Sequence, residues 1–260
     1  MNTKLYFPIY PPVTYRSYTQ LFGVDRATYS NAFGIPGHNG IDFTYPDDPD
    51  SGFGREVVSA HTTPAKVVAR IDADGDVKNS GNALYLREIL ENGEQLETIY
   101  MHLSKIVVNV GDIVQPKQII GLVGNSGFVR PRPTTWAPRA GSHLHFMVRM
   151  YDISGNIKWN EYGGAIDPIP LLYSEGMKLP IRFTHDLSTN WWANPHDDEV
   201  AHWQTVLAIE GFAKDYTTNG IFGPKTKRDT SSLQLKYRIE PSSGYFGLKT
   251  RTWANEKYAT

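Results

Sequence analysis

The rhythm of apolar positions divides the chain into two parts. Short β-branched or alternating runs occupy 56–71, 82–90, 95–102 and 118–123, with Gly, Asn and Asp between them, a pattern of strands joined by turns. Asn92-Gly93 separates two of these runs and predicts a hairpin, because the turn needs positive φ angles that Asn and Gly tolerate. Gly141–Arg149 also alternates with period two, which predicts a strand carrying His143 and His145 on one face. The glycine-bounded stretch Gly37–Phe43 reads as a turn running into a short strand. No long amphipathic helix is expected before residue 170.

After the proline-punctuated stretch Asp167–Phe183 the period changes. Val200, Trp203, Leu207 and Phe212 follow helical spacing, with Asp197 and Asp198 placed to cap the start and Gly211 the end. Gly220-Ile-Phe-Gly-Pro-Lys-Thr226 then recurs as Gly244-Tyr-Phe-Gly-Leu-Lys-Thr250, each copy leading into a predicted helix that its threonine can cap. Trp203, Phe222, Phe246 and Trp253 are expected in a core. The chain therefore reads as a mainly antiparallel β domain followed by a small all-α domain.

Composition narrows the function. A formal net charge of -1 with no basic stripe argues against a nucleic-acid binder. No apolar run approaches the ~20 residues of a membrane span. Cysteine is absent, which removes disulfides and thiolate ligands together. The first thirteen residues are interrupted by prolines and tyrosines and hold no apolar leader segment.

The chemistry concentrates in four histidines and one aspartate: His38 with Asp42, then His102, then His143 with His145. Imidazole and carboxylate are zinc donors, and a catalytic zinc site keeps three protein ligands with the fourth position left for water. A strand carrying His143 and His145 aims both rings at one spot, and the turn at 37–43 lets His38 and Asp42 converge. His61 has no partner pattern and is expected at the surface. His185, His196 and His202 fall in the helical part and carry little functional weight.

Longer motifs surround these residues. Gln20-Leu-Phe-Gly23, Gly37-His-Asn-Gly-Ile-Asp-Phe43, Tyr100-Met-His-Leu-Ser104, the run Val110–Gly127 and His143-Leu-His-Phe146 together resemble the LytM/lysostaphin-type zinc endopeptidases of bacterial cell walls, over residues 20–172. The resemblance implies a half-barrel sheet and one zinc ion per chain, held by His38, Asp42 and His145. It implies His102 and His143 as the catalytic pair, working as acid and base on zinc-activated water, with a bell-shaped pH dependence whose limbs lie near histidine-like values. The absence of an H-E-x-x-H helix agrees, since proton transfer then falls to imidazole.

Residues 185–260 resemble the helical peptidoglycan-binding domain attached to many wall hydrolases. The expected organisation is an extension at 1–19, an endopeptidase domain at 20–172, a linker at 173–184 and a binding domain at 185–260. The expected partner is bacterial peptidoglycan, met by a monomer outside the cytoplasm, secreted or released on lysis. Two stretches depart from the family pattern. Phe43–Gly54 is an acidic insertion, and Gly127–Ser142 carries three arginines, three prolines and Trp136 in place of a short connection. Either can reshape the groove, with Trp136 and the arginines meeting sugar faces or stem carboxylates, or be a variable surface loop. Three other readings are a catalytically silent regulator, a carrier domain suggested by Val110–Gly121, and a pure wall-binding protein. The silent regulator is disfavoured by five intact site positions, and the carrier by the missing lysine-bearing turn.

Overall fold

The computed structural model describes residues 4–10, 15–73, 80–188, 196–213 and 218–260. The chain packs as two compact units, one of residues 1–20 and 40–160 and the other of residues 21–39 and 161–260.

Among the described residues the first unit holds ten strands: β1 Tyr18–Gln20, β2 Ile41–Phe43, β3 Glu56–Val58, β4 Ala65–Ile71, β5 Asn82–Ile89, β6 Gln95–Leu103, β7 Lys105–Ile106, β8 Ile113–Val114, β9 Ile119–Leu122 and β10 Leu144–Tyr151. One sheet runs β1-β2-β10-β6-β5-β4-β8 and a second runs β3-β9-β7. Every pairing along them is antiparallel, as the alternating runs predicted. The predicted hairpin joins β5 to β6. Gly93 takes φ 81° there, the Leu90 amide donates to Glu94 O at 2.8 Å, and the Glu94 amide donates to Asn92 Oδ1 at 3.1 Å.

Strand β10 lies between β2 and β6 and is buried along Leu144–Val148. Phe146 is fully buried, its ring 5.3 Å from Tyr100 and 6.4 Å from Phe43. Apolar area removed from water on this scale is the main stabilising contribution of such a sheet. Of the expected N-terminal extension, residues 4–10 and 15–19 are described, and the backbone of Tyr6 and Pro8 bonds to Ala60 and Val58.

That contact corrects one expectation. His61 is fully buried, not at the surface. Its Nε2 lies 2.8 Å from Thr98 Oγ1 and its Nδ1 3.1 Å from Glu88 Oε2. Residue 61 bridges to Leu5, and a burial created by a segment distant in the chain leaves no mark on the local pattern.

The second unit holds every α-helix of the described residues: α1 Arg26–Phe33, α2 Ile169–Leu172, α3 Asp198–Ile209, α4 Pro224–Tyr237 and α5 Leu248–Tyr258. Asp197 caps α3 by accepting from the Glu199 amide, and Gly211, at φ 84°, follows its end. Trp203 is fully buried on α3. Its ring is 4.5 Å from Phe246 and 6.0 Å from Phe183, and its Nε1 donates to Thr230 Oγ1 at 2.8 Å. Phe222 and Phe246 are buried as expected, while Trp253 is half-buried against Tyr237.

The repeat has a structural meaning different from capping. The helices after it start at Gly223 and Gly247 with no side-chain cap. Thr226 and Thr250 instead accept from buried glutamines. Gln204 Nε2 donates to Ile221 O and Thr226 Oγ1, and Gln204 Oε1 accepts from the Gly220 amide. Gln234 does the same to Tyr245 O, Thr250 Oγ1 and the Gly244 amide. Each copy is a loop pinned by the glutamine of the preceding helix, so the buried polar groups are satisfied in pairs.

Residues 173–184, expected as a linker, pack into this unit. Leu179, Ile181 and Phe183 are buried at every second position, and Asn255 clamps Phe183 through both its backbone groups. Alternation over so few residues between prolines reads locally as a loop.

Asp167 has a measurable consequence. Its carboxylate is fully buried, with Oδ2 2.5 Å from Thr205 Oγ1 and Oδ1 accepting from the Ile169 amide. The Thr205 hydroxyl also faces Ala201 O at 3.2 Å, and its single proton cannot serve both acceptors. Burial pushes the Asp167 carboxyl up to about 6; above that pH the ionised carboxylate accepts from the Thr205 hydroxyl, and only below it can the carboxyl's own proton donate to Thr205 and free that hydroxyl for Ala201 O. A carboxyl raised on folding binds more protons in the folded state, so its stabilisation is complete below the unfolded pKa of about 4 and disappears as pH rises through about 6. Asp167→Asn keeps the shape without the titration. The variant is expected to be more stable than the parent at pH 7, by an amount on the order of 2–3 kcal/mol, and to lose this advantage at pH 4. Denaturant unfolding at both pH values measures it, and an equal difference at both would contradict the assignment.

Candidate active site

The five residues singled out by spacing come from three stretches of the chain. In the β2–β10 ladder Asp42 stands directly opposite His145, and its Oδ1 lies 3.0 Å from His145 Nδ1. The Nε2 edge of His145 lies against Gly40, where a Cβ would sit 2.7 Å from Nε2. His145 therefore presents Nδ1 towards Asp42, and any side chain at position 40 would displace the ring.

His38 is three residues of chain before Ile41 at the start of β2, and it is fully buried. Its Nδ1–H donates to Leu21 O at 3.0 Å, which leaves Nε2 as the lone-pair atom. One donor atom from each of His38, Asp42 and His145 lies within 4.8 Å of the others. Two imidazoles and one carboxylate, all buried, make a donor set of the kind zinc takes.

His102 and His143 stand beside this trio. Their ring centroids are 4.7 Å apart, His102 is 6.0 Å from the His145 ring, and His143 Nε2 is 3.8 Å from Asp42 Oδ2. Both are oriented the same way by backbone carbonyls. His102 Nδ1–H donates to Ser126 O and His143 Nδ1–H to Gly141 O, each at 2.8 Å. Each ring thus keeps Nε2 available to accept a proton.

The backbone at His102 is unusual. It takes φ 62° at the end of β6, in the left-handed region that a side chain enters at a cost. The segment that receives its ring is held firmly, since Ser126 Oγ accepts from the Asn82 amide and donates to Leu103 O. A Cβ at Gly81 would sit 2.4 Å from Ser126 and one at Gly124 2.2 Å from the Ser104 amide, so both glycines are required by close backbone approach. Spacing alone did not single out Ser126, Gly81 or Gly124, since they act through backbone geometry. Burial first, and then the neighbouring His143 and His145, push His102 down to about 3. Burial thus disfavours the charged form of this ring.

The chain matches peptidase family M23 over residues 36–161, a span that contains all five positions. Residues 36–161 are a peptidase family M23 domain. Lysostaphin of Staphylococcus simulans is 33% identical over 138 residues, which cover 52% of this chain and 24% of that protein. The glycyl-glycine endopeptidase ALE-1 of Staphylococcus capitis is 34% identical over 117 residues, covering 44% of this chain and 27% of that protein. The chain spans about a quarter of the length of these curated relatives. Among solved structures, the catalytic domain of Staphylococcus simulans lysostaphin is 27% identical with a TM-score of 0.37, covering 66% of this chain and 94% of that one. The M23 domain includes the β2–β10 ladder, the carbonyls that orient His102 and His143, and both departures at 43–54 and 127–142.

Those two departures meet each other. Arg139 Nη1 is 2.5 Å from Asp50 Oδ2 and its guanidinium lies over the Phe53 ring at 5.1 Å. Asn125 Nδ2 ties the far end by donating to Pro138 O and Ala140 O. Trp136 is 95% exposed.

Proposed function

We propose that this chain is a zinc-dependent endopeptidase that hydrolyses peptide bonds of bacterial peptidoglycan. The observation that carries the reading is the pairing of a buried His38/Asp42/His145 donor set with two imidazoles whose Nδ1 atoms are both committed to backbone carbonyls. Membership of the M23 family and the names of lysostaphin and the glycyl-glycine endopeptidase support it.

His38 Nε2, Asp42 and His145 Nδ1 would hold the metal, which supplies Lewis acidity and an acidified water near neutral pH. His102 and His143 do the proton work. Their Nε2 lone pairs accept, and once protonated the same atoms stabilise the developing oxyanion or deliver a proton to the leaving amine. The carbonyls of Ser126 and Gly141 keep the tautomer and aim of each ring through the cycle. We assign the helical unit to wall binding, on the resemblance of its repeat, and the enzyme to the extracytoplasmic wall, reached by secretion or lysis. Among the described residues no helix is long and apolar enough to cross a membrane.

Purified protein incubated with peptidoglycan, with and without a chelator, tests the reading by mass spectrometry of the fragments. New peptide termini are expected only in the metal-loaded sample and should return on adding zinc. Released sugars without peptide cleavage would replace the endopeptidase by a glycan-cleaving activity, and no fragments at all would favour a wall-binding protein.

A further inference from the structure

The charges of the two departures do not balance where they meet. Residues 127–142 contain Arg130, Arg132 and Arg139 and no acidic residue, while 43–54 contain Asp47, Asp48 and Asp50. Each of these aspartates already holds an arginine. Asp50 pairs with Arg139, Asp48 with Arg55 at 3.1 Å and Asp47 with Arg16 at 3.1 Å. Among the described residues no carboxylate pairs with Arg130 or Arg132. Their guanidiniums instead lie over one ring, 5.3 and 5.8 Å from the centroid of Phe128.

This unmatched pair is anchored to the reaction centre. The loop begins at Ser126, whose carbonyl holds His102, and ends at Gly141, whose carbonyl holds His143. A Cβ on Gly141 would lie 3.3 Å from the Arg130 carbonyl carbon and 2.3 Å from Pro131 O, so the Arg130 backbone packs on the residue that orients His143. Val129 beside it is buried. Two exposed guanidiniums on a firmly seated base are a receptor for a planar anion, because the fork of arginine donors matches a carboxylate bidentately. Stacking on a shared ring reduces the side-chain freedom that binding would otherwise remove.

We propose that Arg130 and Arg132 form a carboxylate-binding subsite that makes the enzyme prefer peptides carrying a free carboxylate close to the scissile bond. The inference rests on the peptidase reading above and adds a substrate class to it. Arg139 is excluded from this role by its bond to Asp50.

The test uses two synthetic crosslinked stem peptides that differ only in a free carboxylate or a carboxamide beside the cleaved bond. The zinc-loaded full chain is expected to favour the carboxylate peptide about tenfold in kcat/KM, mainly through KM, in line with charge-assisted hydrogen bonds. In Arg130→Gln/Arg132→Gln the ratio should fall to about one, and added salt should compress it in the parent. Equal rates in the parent, or a preference that survives in the double variant, would overturn the subsite. Calorimetric binding of the same peptides separates the two readings. Binding that discriminates carboxylate without any hydrolysis would sink the peptidase and keep the subsite, whereas hydrolysis and binding without discrimination would sink the subsite alone.

Discussion

Replacing His102 or His143 by alanine is expected to abolish most peptidoglycan hydrolysis while zinc stays bound, with kcat falling by about 10²–10⁴-fold, the usual contribution of a positioned acid or base. The opposite pattern is expected for His38→Ala, Asp42→Ala and His145→Ala, which should lose metal and activity together. The separation follows from the geometry. His38, Asp42 and His145 bring their donor atoms within 4.8 Å of one another, whereas the rings of His102 and His143, 4.7 Å apart and tilted by 54°, are each held by a backbone carbonyl. Metal content by elemental analysis and turnover on isolated wall measure the two effects independently. Full activity in a zinc-loaded His102→Ala or His143→Ala protein would remove the proposed mechanism. A zinc-free His143→Ala protein would instead move that residue into the metal shell.

Trp203→Ala is expected to have the largest effect on stability. The side chain is fully buried between Phe183, Phe246 and Trp253, and truncation of such a residue costs about 3–5 kcal/mol through lost transfer energy and the cavity left behind. Loss of the indole N–H also removes the donor to Thr230. Natural domains are stable by only about 5–15 kcal/mol, so the helical unit should be largely unfolded well below the parent's transition. Helical circular dichroism against temperature reads the change. Trp203→Phe, which keeps a ring against Phe246, should recover part of it. A fall in stability of less than about 1 kcal/mol on truncation would mean that this core relaxes around the loss.

Much of the candidate site was legible because its residues come as short local pairs. H-x-H at the start of β10 and H-x-x-x-D through a turn each place two groups by local backbone geometry, and the register of β2 against β10 then sets His145 opposite Asp42. The Asn92-Gly93 hairpin and the duplicated glycine-aromatic loop were equally readable, since turn residues act through their own φ angles. Three features were not readable. His61 looks like a surface residue until Leu5 covers it. Thr226 and Thr250 look like caps, and only the positions of Gln204 and Gln234 show that they are acceptors for a neighbouring helix. The stretch at 173–184 looks like a linker because its apolar positions are few, yet three of them are buried.

By itself the sequence determined the chemistry available to this protein: which donors exist, which of them neighbour one another along the chain, and which segments form strands, turns or helices. Only the tertiary structure decided how those donors are used. It committed the Nδ1 atoms of His38, His102 and His143 to backbone carbonyls, assigned Arg139 to Asp50, and left Arg130 and Arg132 over Phe128. The physical reason is range. Secondary structure and motif spacing follow from torsional preferences a few residues long, whereas the tautomer of a ring or the partner of a charge depends on atoms brought close by packing from far along the chain.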